Sequence, residues 1–389
     1  MNTAPTGPAA PGVLDIALIT GPTEVGQTAH LTCLAGALAD RGHRVTFYTR
    51  RATPELPDRW PLRDGVGVHL VPTGPPEQLH EAELLPHAIE FGHRLARIWR
   101  RRPPDLIHSH SWIWGPAALR AARQHGLPLL HTYHALGTIE RRHHHVTDMG
   151  LACDRIIATC RNEVAELTRM GVPAEKTTVV PYGVDPDRFT PHGPKAPRGA
   201  HPYRLLQVGK GAAVSIAALP LLPGAELVVV GGPPPCPPDR NDEVRRLRAL
   251  AHEAGVAHRV HFTGGVPDDR VPPLLRSADV VVCPADHEPF GTVPLEAMAC
   301  GRPVVAGAVG SHLDMVADPG TGRLVPPRDP EALARAVGAL LADPATREAC
   351  GAAARRRILA RYTWAQVAAA TETAYCETLD AEWAATGTS

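Results

Sequence analysis

A chain of 389 residues is long enough for two ordinary domains, each burying its own core. Its 40 Lys plus Arg balance 40 Asp plus Glu, which excludes a global basic field for nucleic acid or an anionic membrane, so any polyanionic ligand must be met by local groups. A 44% hydrophobic and 21% charged composition is that of a soluble globular protein, with no apolar run approaching the ~18 residues of a membrane span.

The Pro/Ala-rich start, residues 1–12, lacks the charged and apolar regions of a signal peptide and reads as a disordered leader, which implies a cytoplasmic protein. Short apolar runs then alternate with helix-length amphipathic segments, the pattern of parallel βα units. Strands are expected at 14–20, 44–49, 66–71, 105–110, 128–133, 155–159 and 178–181, with helices between them, such as 28–41 and 116–125. Gly42 and Gly126 stand where a left-handed residue would end such helices. Residues 189–202 hold four prolines and two glycines with little apolar content and read as a linker. The alternation restarts with strands at 203–208, 226–230, 259–263, 279–283, 303–306 and 323–325. This organisation predicts an α/β protein of two doubly wound, Rossmann-like domains facing each other: 13–188, joined by a returning helix at 364–386, and 203–363. Ligands of such sheets bind at the carboxyl ends of the strands.

Eight scattered cysteines without a C-x-x-C pair argue against a zinc ribbon or a redox dithiol. His143-His144-His145, flanked by Arg141 and Arg142 and without nearby carboxylates or thiolates, reads as a polar loop or helix edge rather than a metal tract.

The richest segment is 286–305. There a strand ending at Cys283 leads into a loop carrying Glu288, and Pro294 sits in the first turn of a helix carrying Glu296. Free N–H groups around Gly291 to Val293 would suit a phosphate, and the two carboxylates could each accept hydrogen bonds from vicinal hydroxyls. Alone, two carboxylates at this spacing are equally compatible with a surface loop and an ordinary helix.

With its flanks the segment resembles the E-x7-E signature of family 4 glycosyltransferases, which adopt the two-domain GT-B fold. The resemblance extends along nearly the whole chain: Gly26-Gln27-Thr28-Ala29-His30 is similar to the N-terminal glycine loop, and Arg41-Gly42-His43-Arg44-Val45 to the end of the following helix. Pro181-Tyr182-Gly183-Val184-Asp185 with Phe189 resembles the exit from the first domain, and Arg361-Tyr362-Thr363-Trp364 the start of the helix that crosses back to it.

The resemblance implies a retaining transfer of a sugar from a UDP- or GDP-sugar to a small-molecule acceptor, with no metal and no cofactor. Glu288 would contact the donor sugar and Glu296 the ribose. Phe290, Gly291 and Thr292 would present backbone N–H groups to the donor, and His134, in His131-Thr132-Tyr133-His134, matches the active-site histidine that touches the donor sugar and orients the acceptor. Gly26 would let backbone N–H approach the diphosphate, while Gln27 stands where the family usually has a second glycine. At Val208-Gly209-Lys210-Gly211 the family supplies an Arg and a Lys from a longer stretch. Only Lys210 remains as an obvious cation here, which bears on leaving-group stabilisation.

On the acceptor side, Arg141 and Arg142 are either anion contacts or solvated charges. His110 and Trp112 are either loop packing, the favoured reading, or acceptor contacts. Ala/Arg/Pro/Gly-heavy usage associates the chain with GC-rich bacteria, whose related enzymes often decorate small secondary metabolites, antibiotics among them, or thiol precursors. A non-catalytic nucleotide-sugar-binding protein with a degenerate diphosphate loop is the alternative, and a phosphorylase or epimerase on the same fold a third possibility.

Overall fold

The computed structural model describes residues 12–21, 25–134, 136, 143–232, 241–288 and 291–386. Two compact units emerge: unit 1 comprises residues 1–159, 163–181 and 367–389, and unit 2 residues 160–162 and 182–366.

Unit 1 runs β1 (Asp15–Ile19), α1 (Val25–Ala39), β2 (Arg44–Arg50), β3 (Arg59–Arg63), β4 (Val66–Val71), α2 (Glu81–Trp99), β5 (Leu106–His110), α3 (Gly115–His125), β6 (Leu129–Thr132), α4 (His143–Ala152), β7 (Arg155–Ala158), α5 (Arg161–Arg169) and β8 (Thr177–Val179). Its sheet has the order β3-β4-β2-β1-β5-β6-β7-β8. Every pairing is parallel except β3 with β4. The chain winds outward in both directions from β1 and β5, so the strand order reverses between their carboxyl ends, where open sheets hold ligands. The edge strand β3, Arg-Trp-Pro-Leu-Arg, has no place among the expected strands because it is mostly exposed and carries Pro61, which only an edge tolerates. Apolar residues on β1, β5 and β6 pack with Phe91, Leu95, Trp99 and Trp114 of the surrounding helices into one core.

Unit 2 runs β9 (Tyr203–Val208), α6 (Ala212–Ala218), β10 (Ala225–Val230), α7 (Asp242–Glu253), β11 (Val260–Gly264), α8 (Val271–Ser277), β12 (Val280–Cys283), α9 (Thr292–Ala299), β13 (Val304–Gly307), α10 (His312–Met315), β14 (Gly322–Val325), α11 (Pro330–Ala342) and α12 (Pro344–Arg361). The sheet is wholly parallel, in the order β11-β10-β9-β12-β13-β14. Its near-continuous Val/Leu runs, buried on both faces, are what a covered parallel sheet requires. Its topological switch point lies between β9 and β12.

α13 (Trp364–Thr386) belongs to unit 1 from Val367 onward. Buried Glu372 fixes it there by accepting hydrogen bonds from Arg41 Nε at 2.6 Å and His43 Nε2 at 2.9 Å. The Arg41-Gly42-His43 turn therefore serves as the docking point of the returning helix.

The proline-rich stretch 189–202 departs from a free linker. Arg276 Nε donates to the Pro194 carbonyl at 2.8 Å, Arg355 Nη1 to the Phe189 carbonyl at 2.8 Å, and Ala196 N–H to the Pro273 carbonyl at 2.9 Å. Its low apolar content is compensated by these guanidinium and backbone bonds, which strap it onto unit 2; the change of unit falls between Pro181 and Tyr182. Among the described residues no helix is long and apolar enough to cross a membrane, no group of His, Cys, Asp and Glu is arranged to hold a metal, and none of the seven cysteines is in a disulfide.

Candidate active site

In unit 2 the candidate groups follow the two strands that flank the switch point, β9 and β12. β9 passes into α6 through only Gly209, Lys210 and Gly211, a three-residue connection. Buried Gln207 holds the turn, donating from Nε2 to the Lys210 carbonyl at 2.7 Å while its Oε1 accepts from Ser215 Oγ at 2.7 Å. Lys210 is exposed at the tip.

Beyond β12 the chain delivers Glu288, half-buried, just before α9. Glu288 Oε1 accepts the Gly291 N–H at 3.0 Å, and its carbonyl accepts from both N and Oγ of Ser311 at 3.2 Å. Gly291 has φ +66°, and a Cβ there would lie 2.5 Å from Met315 Sδ and 2.7 Å from Ser311 Oγ, so the turn that aims α9 accepts glycine alone. Because Glu288 already takes the Gly291 N–H, the anion-binding donors of this helix start at Thr292 and Val293, whose N–H groups have no intrahelical acceptor. Phe290 lies outside the described residues.

Glu296 stands about one turn into α9, half-buried. Burial raises its carboxyl to about 7, opposed by the nearby Arg188 and reinforced by Asp268. The sign gives a prediction. A folded value above the unfolded one means the protein stabilises the acid form, so stability is lost as pH rises from about 4.5 through about 7. Accepting two ribose hydroxyls, in contrast, needs the carboxylate. Glu296→Gln should therefore leave the melting temperature unchanged below about pH 4.5, raise it increasingly as the pH climbs to about 7, and weaken UDP binding chiefly above about pH 7, where the parent carboxylate is charged. A melting series with parallel UDP calorimetry checks both halves.

In unit 1 the carboxyl ends of β5 and β6 carry histidines. His134 follows β6 in a bend with φ +53°, an unusual conformation for a residue with a Cβ, and is 3% exposed. Its Nε2 lies 3.0 Å from His110 Nδ1, the two rings stacked at 5.2 Å, and His30 of α1 meets it edge-on at 5.7 Å. His108 bonds Tyr375 Oη at 2.8 Å and Thr132 Oγ1 at 2.9 Å, and His131 Nδ1 pairs with Ser109 Oγ at 2.7 Å. Burial lowers all five imidazoles, His134 to about 4 and His131 to about 3. At neutral pH His134 is thus an uncharged hydrogen-bonding group rather than an acid.

His110, 1% exposed, is the ring on which His134 rests. Trp112 is half-buried against the unit 1 core. Gly26 and Gln27 lie in the first turn of α1 rather than in a loop, so the amino end of that helix, just after β1, is what they contribute. Arg141 and Arg142 are outside the described residues. Cross-strand register and helix docking bring His30 to His134 and Tyr375 to His108, which spacing along the chain does not reveal. The histidine pairs on adjacent strands, His108/His110 and His131/His134, were the available signal.

Two doubly wound units, each with its polar groups at the carboxyl edge of a parallel sheet and the second carrying the E-x7-E carboxylates, define a GT-B glycosyltransferase. Residues 25–188 match the family described as Glycosyltransferase Family 4, and 203–357 that described as Glycosyl transferases group 1. The chain is 35% identical to a D-inositol 3-phosphate glycosyltransferase of Xylanimonas cellulosilytica, over 90% of this chain and 91% of the relative. It resembles a solved sucrose-phosphate synthase of Thermosynechococcus elongatus with TM-score 0.81 and 30% identity, covering 94% of this chain and 99% of the other. The fold also matches HepE of Anabaena, solved with UDP and glucose, with TM-score 0.70 at 20% identity, covering 94% and 99%. The chain belongs to glycosyltransferase family 4.

Proposed function

We propose that this glycosyltransferase moves a hexose from a UDP- or GDP-sugar to a hydroxyl of a small polyhydroxylated acceptor with retention of anomeric configuration. The observation that carries the donor assignment is the switch point of unit 2, where the Gly209–Gly211 turn, Glu288 and the amino end of α9 follow neighbouring strands. Glu296 accepts the ribose hydroxyls, Thr292 and Val293 N–H with Lys210 meet the diphosphate, and Glu288 accepts a hydroxyl of the transferred sugar. The N–H groups and Lys210 stabilise the negative charge that develops on the departing diphosphate, the largest contribution in such transfers. In the transfer the bond from the anomeric carbon to the phosphate oxygen breaks. The acceptor oxygen attacks the face the phosphate leaves, and that phosphate takes the acceptor proton. Neutral His134 orients the reacting hydroxyls. The two carboxylates are recognition groups here, so the nucleophile-and-acid scheme of glycosidases does not apply.

The relatives named for D-inositol 3-phosphate make that compound the first acceptor to test, and hydroxylated secondary metabolites, including antibiotic precursors, the second. With Lys210 as the obvious cation of a three-residue turn, transfer should be slow. The test is incubation with UDP- and GDP-hexoses and each acceptor, reading the new anomeric proton by NMR. Retention is expected; an inverted product overturns the mechanism, and absence of transfer with every pair overturns the acceptor class.

A further inference from the structure

Unit 1 contains a hollow of about 600 Å³ that the transfer reaction does not use. It arises from register on one face of the sheet. Ile19, Tyr48, His69 and Arg59 stand in one cross-strand row, and Ala17, Thr46, Gly67 and Pro61 in the next. The second row is built of small or short side chains, so the sheet surface sinks between the larger first row and the end of α2. Asp15 and Arg44, which open their strands, place the hollow towards the amino edge of the sheet, away from the carboxyl edge that carries His110 and His134.

Its lining is cationic. Arg44, Arg59, Arg101 and Arg102 all border it, against the single carboxylate of Asp15. Asp15 is already shared, accepting from Arg44 Nε at 3.1 Å and Nη2 at 2.9 Å and from Arg102 Nη2 at 3.1 Å. Those guanidiniums hold its carboxyl below the usual range, Arg44 foremost, despite partial burial. Arg59 donates from Nε to His69 Nε2 at 3.2 Å. Burial, then Arg59, lowers His69 to about 4, so this partner is a neutral acceptor and cancels none of the charge. Neither Arg59 nor Arg101 has a carboxylate partner among the described residues. Tyr48 adds an aromatic wall, while Trp60, in register with Val68 and Phe47, points to the opposite face of the sheet.

We propose that this hollow is a binding site for a soluble aromatic phosphate ester, distinct from the donor site. The volume falls within the range of small-molecule sites. A phosphate dianion matches guanidinium forks that have no internal carboxylate. The flat face of Tyr48 suits a ring stacked beside it.

The experiment is equilibrium dialysis of the full chain with 4-nitrophenyl phosphate, in the presence and absence of saturating UDP. Saturable binding that UDP does not displace is expected, about tenfold weaker in Arg59→Gln and lost in the Arg59→Gln/Arg101→Gln double variant. Both arginines are exposed, and an unchanged melting temperature will confirm that the variants fold. Arg97→Gln/Arg100→Gln removes the same charge from the same helix end outside the hollow and should leave binding intact. No binding by the parent at millimolar ester, displacement by UDP, equal binding by the Arg59/Arg101 variant, or equal loss in the Arg97/Arg100 variant each overturns the site. Flotation with phosphatidylglycerol–phosphatidylcholine vesicles forms a second arm: Arg59- and Arg101-dependent flotation without binding of the soluble ester assigns the phosphate to a lipid headgroup and overturns the small-molecule form.

Discussion

Gly310→Ala should lower sugar transfer about a hundredfold and destabilise unit 2 by about 2 kcal/mol. Gly310 has φ +49°, in the turn between β13 and α10, and a Cβ there would stand 2.2 Å from the Glu288 carbonyl oxygen and 3.1 Å from its carbonyl carbon. The contact is with backbone, so no rotamer change relieves it. The same carbonyl is the acceptor of Ser311 N–H and Oγ, so the substitution pries the Glu288 loop from the turn that supports it. A displacement near 1 Å is enough to misplace a recognition carboxylate and, through the Glu288–Gly291 bond, the amino end of α9. Gly320→Ala is the control, since its nearest added contact is 3.6 Å away and it is exposed; transfer and melting temperature should stay at parental values. Steady-state kinetics with thermal melting of both variants decides the matter. A Gly310→Ala enzyme of parental activity would mean that the 310–311 turn does not govern Glu288.

The largest stability loss is expected from Arg204→Ala. Arg204 and Glu226 face each other across β9 and β10, with side chains 6% and 1% exposed. Arg204 Nε donates to Glu226 Oε1 at 2.6 Å and Nη1 to Ser277 Oγ at 3.1 Å. Removing the guanidinium leaves a buried carboxylate without its counter-charge, a change that typically costs about 3–5 kcal/mol. Replacing both partners, as Arg204→Met/Glu226→Leu, removes the unpaired charge as well and should restore most of the loss. Urea unfolding of the three proteins reads this out. A single variant within about 1 kcal/mol of the parent would show that water or protonation of Glu226 compensates. Transfer at temperatures well below melting should be unaffected by either variant, because Arg204 lies near the amino end of β9 and the site at its carboxyl end.

Most strands were legible because a parallel sheet covered on both faces demands short apolar runs, and Tyr203–Val208 and Val66–Val71 are such runs with clear boundaries. β3 was not, since an exposed edge strand needs no apolar face. The Pro-rich stretch 189–202 misleads for a related reason: hydrophobicity reports what a segment buries, whereas this one is held by bonds from Arg276 and Arg355 to its carbonyls, far away in sequence. In unit 2, Glu288, Gly291 and Glu296 were readable as neighbours because they lie within one continuous motif. The histidine layer beneath His134 comes from α1, β5 and β6, and its meaning depends on register that spacing alone does not reveal. The arginine-lined hollow is likewise a product of register, its small residues and its arginines being unremarkable one at a time.

The measurement that tests the account most directly is transfer by the parent, Glu288→Gln and His134→Ala enzymes, followed by mass spectrometry with one accepted donor and acceptor. Glutamine keeps an oxygen to receive the Gly291 N–H but loses the charge, so the loop is retained while sugar recognition is impaired. Each variant should transfer about a hundredfold more slowly than the parent while remaining folded. Parental rates in either would contradict the assignment of Glu288 or His134 to the sugar-transfer site.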